Sequence, residues 1–233
     1  VGDAIFHTIL CFGWFFIYSS LFIYPTLKKT DNSQKRLAWV LTLLSAIVGS
    51  IAGIVQVWHI YEHGWTAEIA ASSPRGCRFG THFFMVYFVV DWVLSFNYYP
   101  DFFDYLTGYT HHIFYFVASI GFLHFECTAA FVTCLVLEFS SVVMSLGSCH
   151  PSLRTDLGFG ITFFFVRICF NLLAVIQFHK IGHPIWMVGV PPLMMHLYWF
   201  KNWCRNYFFG KKSKESAAKP TSASQAKKKQ KQQ

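Results

Sequence analysis

The chain has 233 residues and a formal net charge of +8, with 13% charged, 54% hydrophobic and 20% aromatic residues. Soluble globular domains carry about 25% charged residues. The composition therefore excludes a disordered chain or a coiled coil and is unlike that of soluble enzymes. It predicts an all-α polytopic membrane protein.

The apolar residues fall into runs of about 20, the length that an α-helix needs to cross the hydrocarbon layer of a membrane. We predict about seven transmembrane helices, at 5–24, 37–61, 80–97, 105–123, 126–146, 157–178 and 185–205. Pro191 and Pro192 lie inside the last run. Because proline removes backbone hydrogen bonds, we expect this helix to be kinked or broken.

The basic residues of the short loops predict the orientation. The loop at 25–36 carries Lys28, Lys29, Lys35 and Arg36. An excess of basic residues is typical of cytosolic loops, so we place this loop in the cytosol. Seven helices then put the C-terminus in the cytosol as well.

The C-terminal tail carries most of the excess charge. Residues 211–233 contain eight of the 19 basic residues and one acid, which predicts a disordered Lys-rich tail at 208–233 rather than a nucleic-acid-binding domain. Lys229 and Lys231 form the KxKxx pattern of dilysine retrieval signals. We therefore expect the endoplasmic reticulum membrane as location and the coat-protein retrieval machinery as a partner.

Five ionisable residues lie inside the predicted helices, where each costs about 2.5–3.5 kcal/mol on insertion scales. At a rise of 1.5 Å per residue, they lie about 9–15 Å from the cytosolic ends of their helices. They are Asp91, His111, His112, Glu138 and Arg167. Four helices thus place polar groups in one layer, in the cytosolic half of the membrane.

Glu138 and Arg167 have opposite charge and similar depth, so we interpret them as an ion pair that offsets their burial. Adjacent helical residues point about 100° apart, so His111 and His112 do not form two ligands of one metal. One can face a central cavity while the other contacts a neighbouring helix or Asp91. A carboxylate beside an imidazole fixes its tautomer and raises its basicity, as a general base or nucleophile requires.

The remaining histidines and cysteines give weaker signals. The H-x-x-E-H sequence at 59–63 matches an inverted zinc-peptidase pattern, but it lies at a predicted helix end, and we interpret its histidines as interfacial. His196 is a single histidine that we interpret as structural or solvated. The cysteines are small core residues, except that Cys77 is placed in a loop where pairing is plausible.

Four segments resemble the TLC family (TRAM, Lag and CLN proteins), which includes the ceramide synthases. They are YFVVD at 87–91, THHI at 110–113, LEFSS at 137–141 and FFVRI at 164–168. The resemblance covers about 37–207 and implies a bundle in which six helices form a barrel around a tunnel open to the cytosol. In the family's ceramide synthases the paired histidines are catalytic and acyl-CoA is the co-substrate.

One departure separates this chain from ceramide synthases. They have a His-Asp-x-x-Asp segment after the histidine pair, where this chain has a single acid, Glu138. The chain is closer to the TLC-domain-containing branch, which is linked to lipid composition, membrane fluidity, ceramide production and trafficking.

Two functions therefore remain open. The first is a lipid-homeostasis factor that binds a lipid or fatty acyl chain in the tunnel. The alternative is an acyl-CoA-dependent lipid N-acyltransferase that uses His111 or His112, oriented by Asp91 or Glu138. In both, Arg167, Asn171, Ser140 and Ser141 are structural or tunnel-lining residues.

The chain is thus divided into a first helix with its basic loop at 1–36, a TLC-like domain at 37–207 and the tail at 208–233. No metal or other cofactor and no nucleic acid is expected. A homodimer is compatible with the sequence.

Overall fold

The computed structural model describes residues 2–19, 21, 33–102 and 105–209. Within this part, every regular element is a helix, as an all-α protein requires. Lys28 and Lys29 of the basic loop, and the tail with Lys229 and Lys231, lie outside the described residues.

The α-helices follow one another along the chain with short connections. They are α1 (Gly2–Tyr18), α2 (Ser33–His63), α3 (Ala67–Ala70), α4 (Arg75–Tyr98), α5 (His111–His124), α6 (Thr128–Cys134), α7 (Phe139–Cys149), α8 (Asp156–Phe163), α9 (Asn171–Lys180) and α10 (Trp186–Phe208). Short segments of other helical geometry join several of them. The π-helix Tyr105–Thr110 leads into α5, the 3₁₀ helix Leu135–Glu138 joins α6 to α7, and the π-helix Phe164–Phe170 joins α8 to α9.

Four of the described helical segments are long and apolar enough to cross a membrane. They are Gln34–His63, Arg75–Tyr98, Thr128–Cys149 and Asp156–Lys180. Helices α1 and α5, with 17 and 14 residues, are shorter, and α10 does not reach the same apolarity. These segments indicate a membrane protein with at least four candidate transmembrane helices.

The two prolines of the last helix do not break it. Helix α10 runs from Trp186 to Phe208 with Pro191 and Pro192 inside. The missing N–H groups leave two carbonyl groups one turn earlier without their helical donors, but the helix continues. Of the two expected effects, a kink or a break, the break is therefore excluded.

Helix α2 packs closely against the 3₁₀ helix that carries Glu138. Gly49 and Gly53 face that contact, in the small-xxx-small spacing that lets helix backbones approach in membranes. A methyl group at Gly53 would overlap the backbone of Leu135 and Val136, and one at Gly49 would meet the ring of Phe84. This close approach fixes the position of the segment that ends in Glu138.

Helix α1 packs on α4, with Phe15 fully buried against the ring of Phe83 at a centroid distance of 4.9 Å. Cys77 lies in the first turn of α4 rather than in a loop, and it is buried with its Sγ 3.3 Å from Gln56 Oε1. The placement of Cys77 in a loop is therefore wrong. All seven cysteines belong to the described part and are free thiols.

Candidate functional site

A cavity of about 480 Å³ lies between the helices and contains all of the residues that the sequence nominated. Residues Asp91, His111, His112, Glu138, Ser140, Ser141, Arg167 and Asn171 line it. The layer of polar groups that the sequence predicts at one depth is thus a single site in the structure.

The rest of the lining is largely apolar. Beyond the polar layer, towards the end of α9 and the start of α10, the wall contains Phe122, Phe131, Val175, Phe178 and Ile185. The cavity therefore has a polar part and a hydrocarbon-like part, an arrangement that suits a ligand with a polar group and an apolar chain.

Arg167 is the centre of one polar cluster. Its position within the π-helix Phe164–Phe170 brings its guanidinium to the segment that joins α6 and α7. π-helical turns occur frequently at functional sites. Nε donates to Ser140 Oγ over 2.6 Å, and Nη2 donates to Ser141 Oγ over 2.7 Å and to Glu138 Oε1 over 3.3 Å.

The ion pair with Glu138 is present, as the sequence predicts. The side chain of Arg167 is 7% exposed and that of Glu138 is 22% exposed. A buried pair is tolerated only when further hydrogen bonds satisfy the charged groups, and the two serine hydroxyls provide them here.

His196 is a member of this cluster that the sequence interpretation missed. It is fully buried, with Nε2 2.9 Å from Arg167 Nη1 and Nδ1 3.3 Å from Asn171 Nδ2. Arginine can only donate, so Nε2 accepts from Nη1. Of the two interpretations of His196, structural or solvated, its burial excludes the second. Its depth within the predicted last helix, about 14 Å at 1.5 Å per residue, equals that of the other site residues and could have identified it.

Asp91 is the centre of a second polar cluster. Tyr99 donates from its hydroxyl to Asp91 Oδ1 over 2.6 Å, and Asp91 Oδ2 lies 3.5 Å from His112 Nδ1. All three residues are buried. Tyr99 was not nominated from the sequence because it follows the end of α4, eight residues after Asp91, where a tyrosine is typical of a membrane interface.

His111 faces the space that the two clusters share. Its ring centroid lies 5.6 Å from that of His112 and 6.2 Å from that of Trp199, which in turn is 5.9 Å from His196. Its Nδ1 atom is buried and has no hydrogen-bond partner among the described residues. The two adjacent histidines therefore differ: His112 lies beside a carboxylate, whereas the His111 ring lies among the rings of His112, Tyr115 and Trp199.

The described residues contain no group of three or more His, Cys, Asp or Glu side chains that could hold a metal ion. At 59–63 the side chains bond within their own helix. His63 Nδ1 donates to the carbonyl of His59 over 2.9 Å, and Glu62 accepts from Trp58 Nε1 over 2.9 Å.

No protein-family model, curated protein or solved structure matches this chain. The TLC resemblance rests on the four sequence segments alone.

Proposed function

We propose that this membrane protein acts in lipid homeostasis by binding a lipid or fatty acyl chain in the cavity, as its resemblance to the TLC-domain-containing branch implies. The observation that carries the proposal is the division of the cavity into a polar layer and an apolar remainder. Its volume of about 480 Å³ falls in the range of about 300–1,000 Å³ that is usual for small-molecule pockets.

The proposal includes a topology of seven transmembrane helices, six of which surround the cavity. Two features support it. The segments at 2–18, 105–124 and 186–208 are helical besides the four long spans. In addition, the cavity is lined by residues from α2 and the later helices, while none of the described α1 side chains lines it.

Lipid binding is tested by mass spectrometry of lipids that co-purify with the full chain. Val175 lines the cavity, whereas Ile176 is 42% exposed on the outside of the same helix. We expect Val175→Trp to fill the apolar part and remove the bound lipid, and Ile176→Trp to retain it. Equal lipid content in both variants and in the wild-type protein would show that the cavity does not hold the lipid.

A second candidate is acyl transfer from acyl-CoA, which the Asp91–His112 geometry favours. A carboxylate that contacts an imidazole orients it as a general base. An acceptor amine would attack the thioester carbonyl, a new amide bond would form as the carbon–sulfur bond breaks, and the imidazole would pass the amine proton to the leaving CoA thiolate.

Turnover of labelled acyl-CoA with a sphingoid base or lysophospholipid distinguishes the two candidates. An acyl product made by the wild-type protein and lost in the His111→Ala/His112→Ala double variant would establish the enzyme. If both proteins are equally folded and neither makes an acyl product, lipid binding remains the proposed function.

We also propose the endoplasmic reticulum as location, with Lys229 and Lys231 as the retrieval signal. The full chain with both lysines changed to serine should leave that membrane in microscopy of cells. If the variant stays in the endoplasmic reticulum, these lysines are not the retrieval signal.

A further inference from the structure

The charges around the cavity are already paired, and this restricts the head group of the ligand. Arg167 is the one Lys or Arg among the described residues that line it. A guanidinium has five N–H groups, and four are used by Ser140, Ser141, Glu138 and His196. One N–H remains, but an anionic head group bound there would share the guanidinium with the Glu138 carboxylate, and two like charges close together in apolar surroundings repel each other strongly.

The other acidic residue of the lining is also occupied. Both oxygens of Asp91 are in contact with protein groups, one with the Tyr99 hydroxyl and one with the His112 ring. The Asp91 carboxylate is therefore enclosed by protein groups, and neither cluster offers an unpaired cation to an anionic ligand.

The polar group that lacks a protein partner is instead the His111 ring, which lines the cavity and is only half-buried, and whose Nδ1 has no hydrogen-bond partner in the described part of the chain. Polar groups inside a protein are nearly always hydrogen-bonded, and because the His111 ring lines the cavity, a ligand in the cavity can supply the missing partner. A neutral imidazole nitrogen is either a donor or an acceptor. A hydroxyl can satisfy both forms, whereas a phosphate oxygen can only accept.

We infer that the cavity selects a lipid whose buried polar group is an uncharged hydroxyl, hydrogen-bonded to His111, and that it discriminates against lipids with an anionic head group. This inference rests on the proposed function, because it names the class of lipid that the cavity would hold.

The inferred selectivity is tested with three probes that have the same oleyl chain: oleyl alcohol, oleyl phosphate and oleylamine. Each competes with tritiated oleyl alcohol for the purified full-length protein in detergent. We expect oleyl phosphate to bind at least about tenfold more weakly than the alcohol, a difference of about 1.4 kcal/mol.

Two variants and one control variant test which residues cause the selectivity. His111→Phe keeps a ring of similar size but removes the nitrogen, and we expect it to weaken binding of oleyl alcohol about tenfold. His124→Phe, at the exposed end of the same helix, is the matched control and should bind normally. Glu138→Gln removes the charge that pairs with Arg167, so oleyl phosphate should gain affinity relative to the alcohol.

The outcomes separate the inference from the proposed function. If no probe binds saturably, the proposed lipid binding fails and the inference fails with it. If oleyl phosphate or oleylamine binds as tightly as the alcohol, the selectivity is overturned while lipid binding remains. If Glu138→Gln does not fold, the ranking of the three probes on the wild-type protein decides.

Discussion

Arg167 owes its buried position to partners from two other parts of the bundle. Ser140, Ser141 and Glu138 belong to the segment at 128–149, and His196 belongs to α10. The guanidinium therefore joins three helical segments at the level of the cavity. Charged groups in this position are costly to leave unpaired, because the surroundings cannot solvate them.

Arg167→Met should lower the free energy of unfolding by about 3–5 kcal/mol, since it leaves Glu138 buried without a cation. The matched control is Arg154→Met, because the ion pair of Arg154 with Asp156 is more than half exposed and is expected to contribute less than about 1 kcal/mol. Chemical unfolding in detergent measures both. A similar decrease in the free energy of unfolding of the two variants would show that the buried cluster does not stabilise the contact between the helices.

Tyr99→Phe removes the hydroxyl that donates to Asp91 Oδ1 and should destabilise the fold by about 1–3 kcal/mol, because it leaves a buried carboxyl oxygen without its donor. Tyr98→Phe is the control, since the neighbouring side chain is 38% exposed. Thermal unfolding followed by near-UV circular dichroism measures the difference. No difference between the variants would exclude Tyr99 as a support of Asp91.

At the scale of residues, the sequence predicts the site groups that stand out by charge. Ionisable residues within apolar runs are conspicuous, so Asp91, Glu138 and Arg167 could be nominated and the ion pair predicted. Depth in the predicted last helix could have singled out His196, whereas Tyr99 could not be separated from the other tyrosines of the chain. Their roles depend on which helices are neighbours, and a single sequence does not contain that information.

At the scale of elements, the close approach of α2 to the Leu135–Glu138 segment decides where the site forms. We expect Gly53→Ala to destabilise the protein by about 1–3 kcal/mol, because the added methyl overlaps the backbone of Leu135 and Val136. Gly121→Ala in α5 is the control, because no atom outside its own helix lies within 4 Å of the new methyl. It should be neutral or stabilise by up to about 1 kcal/mol. Thermal unfolding of both variants in detergent compares them, and equal midpoints would exclude a tight contact at Gly53.

The helix positions are close to those predicted because apolar periodicity and length determine them. Their internal geometry was not predictable: the π-helix Phe164–Phe170 and the 3₁₀ helix Leu135–Glu138 carry residues of the site. Such local changes of pitch satisfy side-chain contacts with other helices. The spacing of apolar residues in the sequence does not reveal such changes.

At the scale of the whole molecule, the proposed seven-helix topology predicts which loops share a side of the membrane. A cysteine at Ser152 should be on the cytosolic side, and one at Lys180 on the opposite side. We expect an impermeant maleimide to label Ser152→Cys after selective permeabilisation of the plasma membrane, and Lys180→Cys only after all membranes are opened. The wild-type chain is the blank, and labelling of both sites in the first step would contradict the topology.

The spacing of the two acidic residues from their partners has a consequence for biogenesis. Asp91 and Tyr99 are eight residues apart. In a nascent chain, the Tyr99 hydroxyl can therefore donate to the Asp91 carboxylate almost as soon as the helix that carries Asp91 has been synthesised. Glu138 precedes Arg167 by 29 residues. The ribosome needs roughly 1.5–6 s to synthesise this stretch at the usual speed. We therefore expect the helix that bears Glu138 to remain beside the insertion machinery until the next one arrives, so that the two enter the bilayer together as a hairpin.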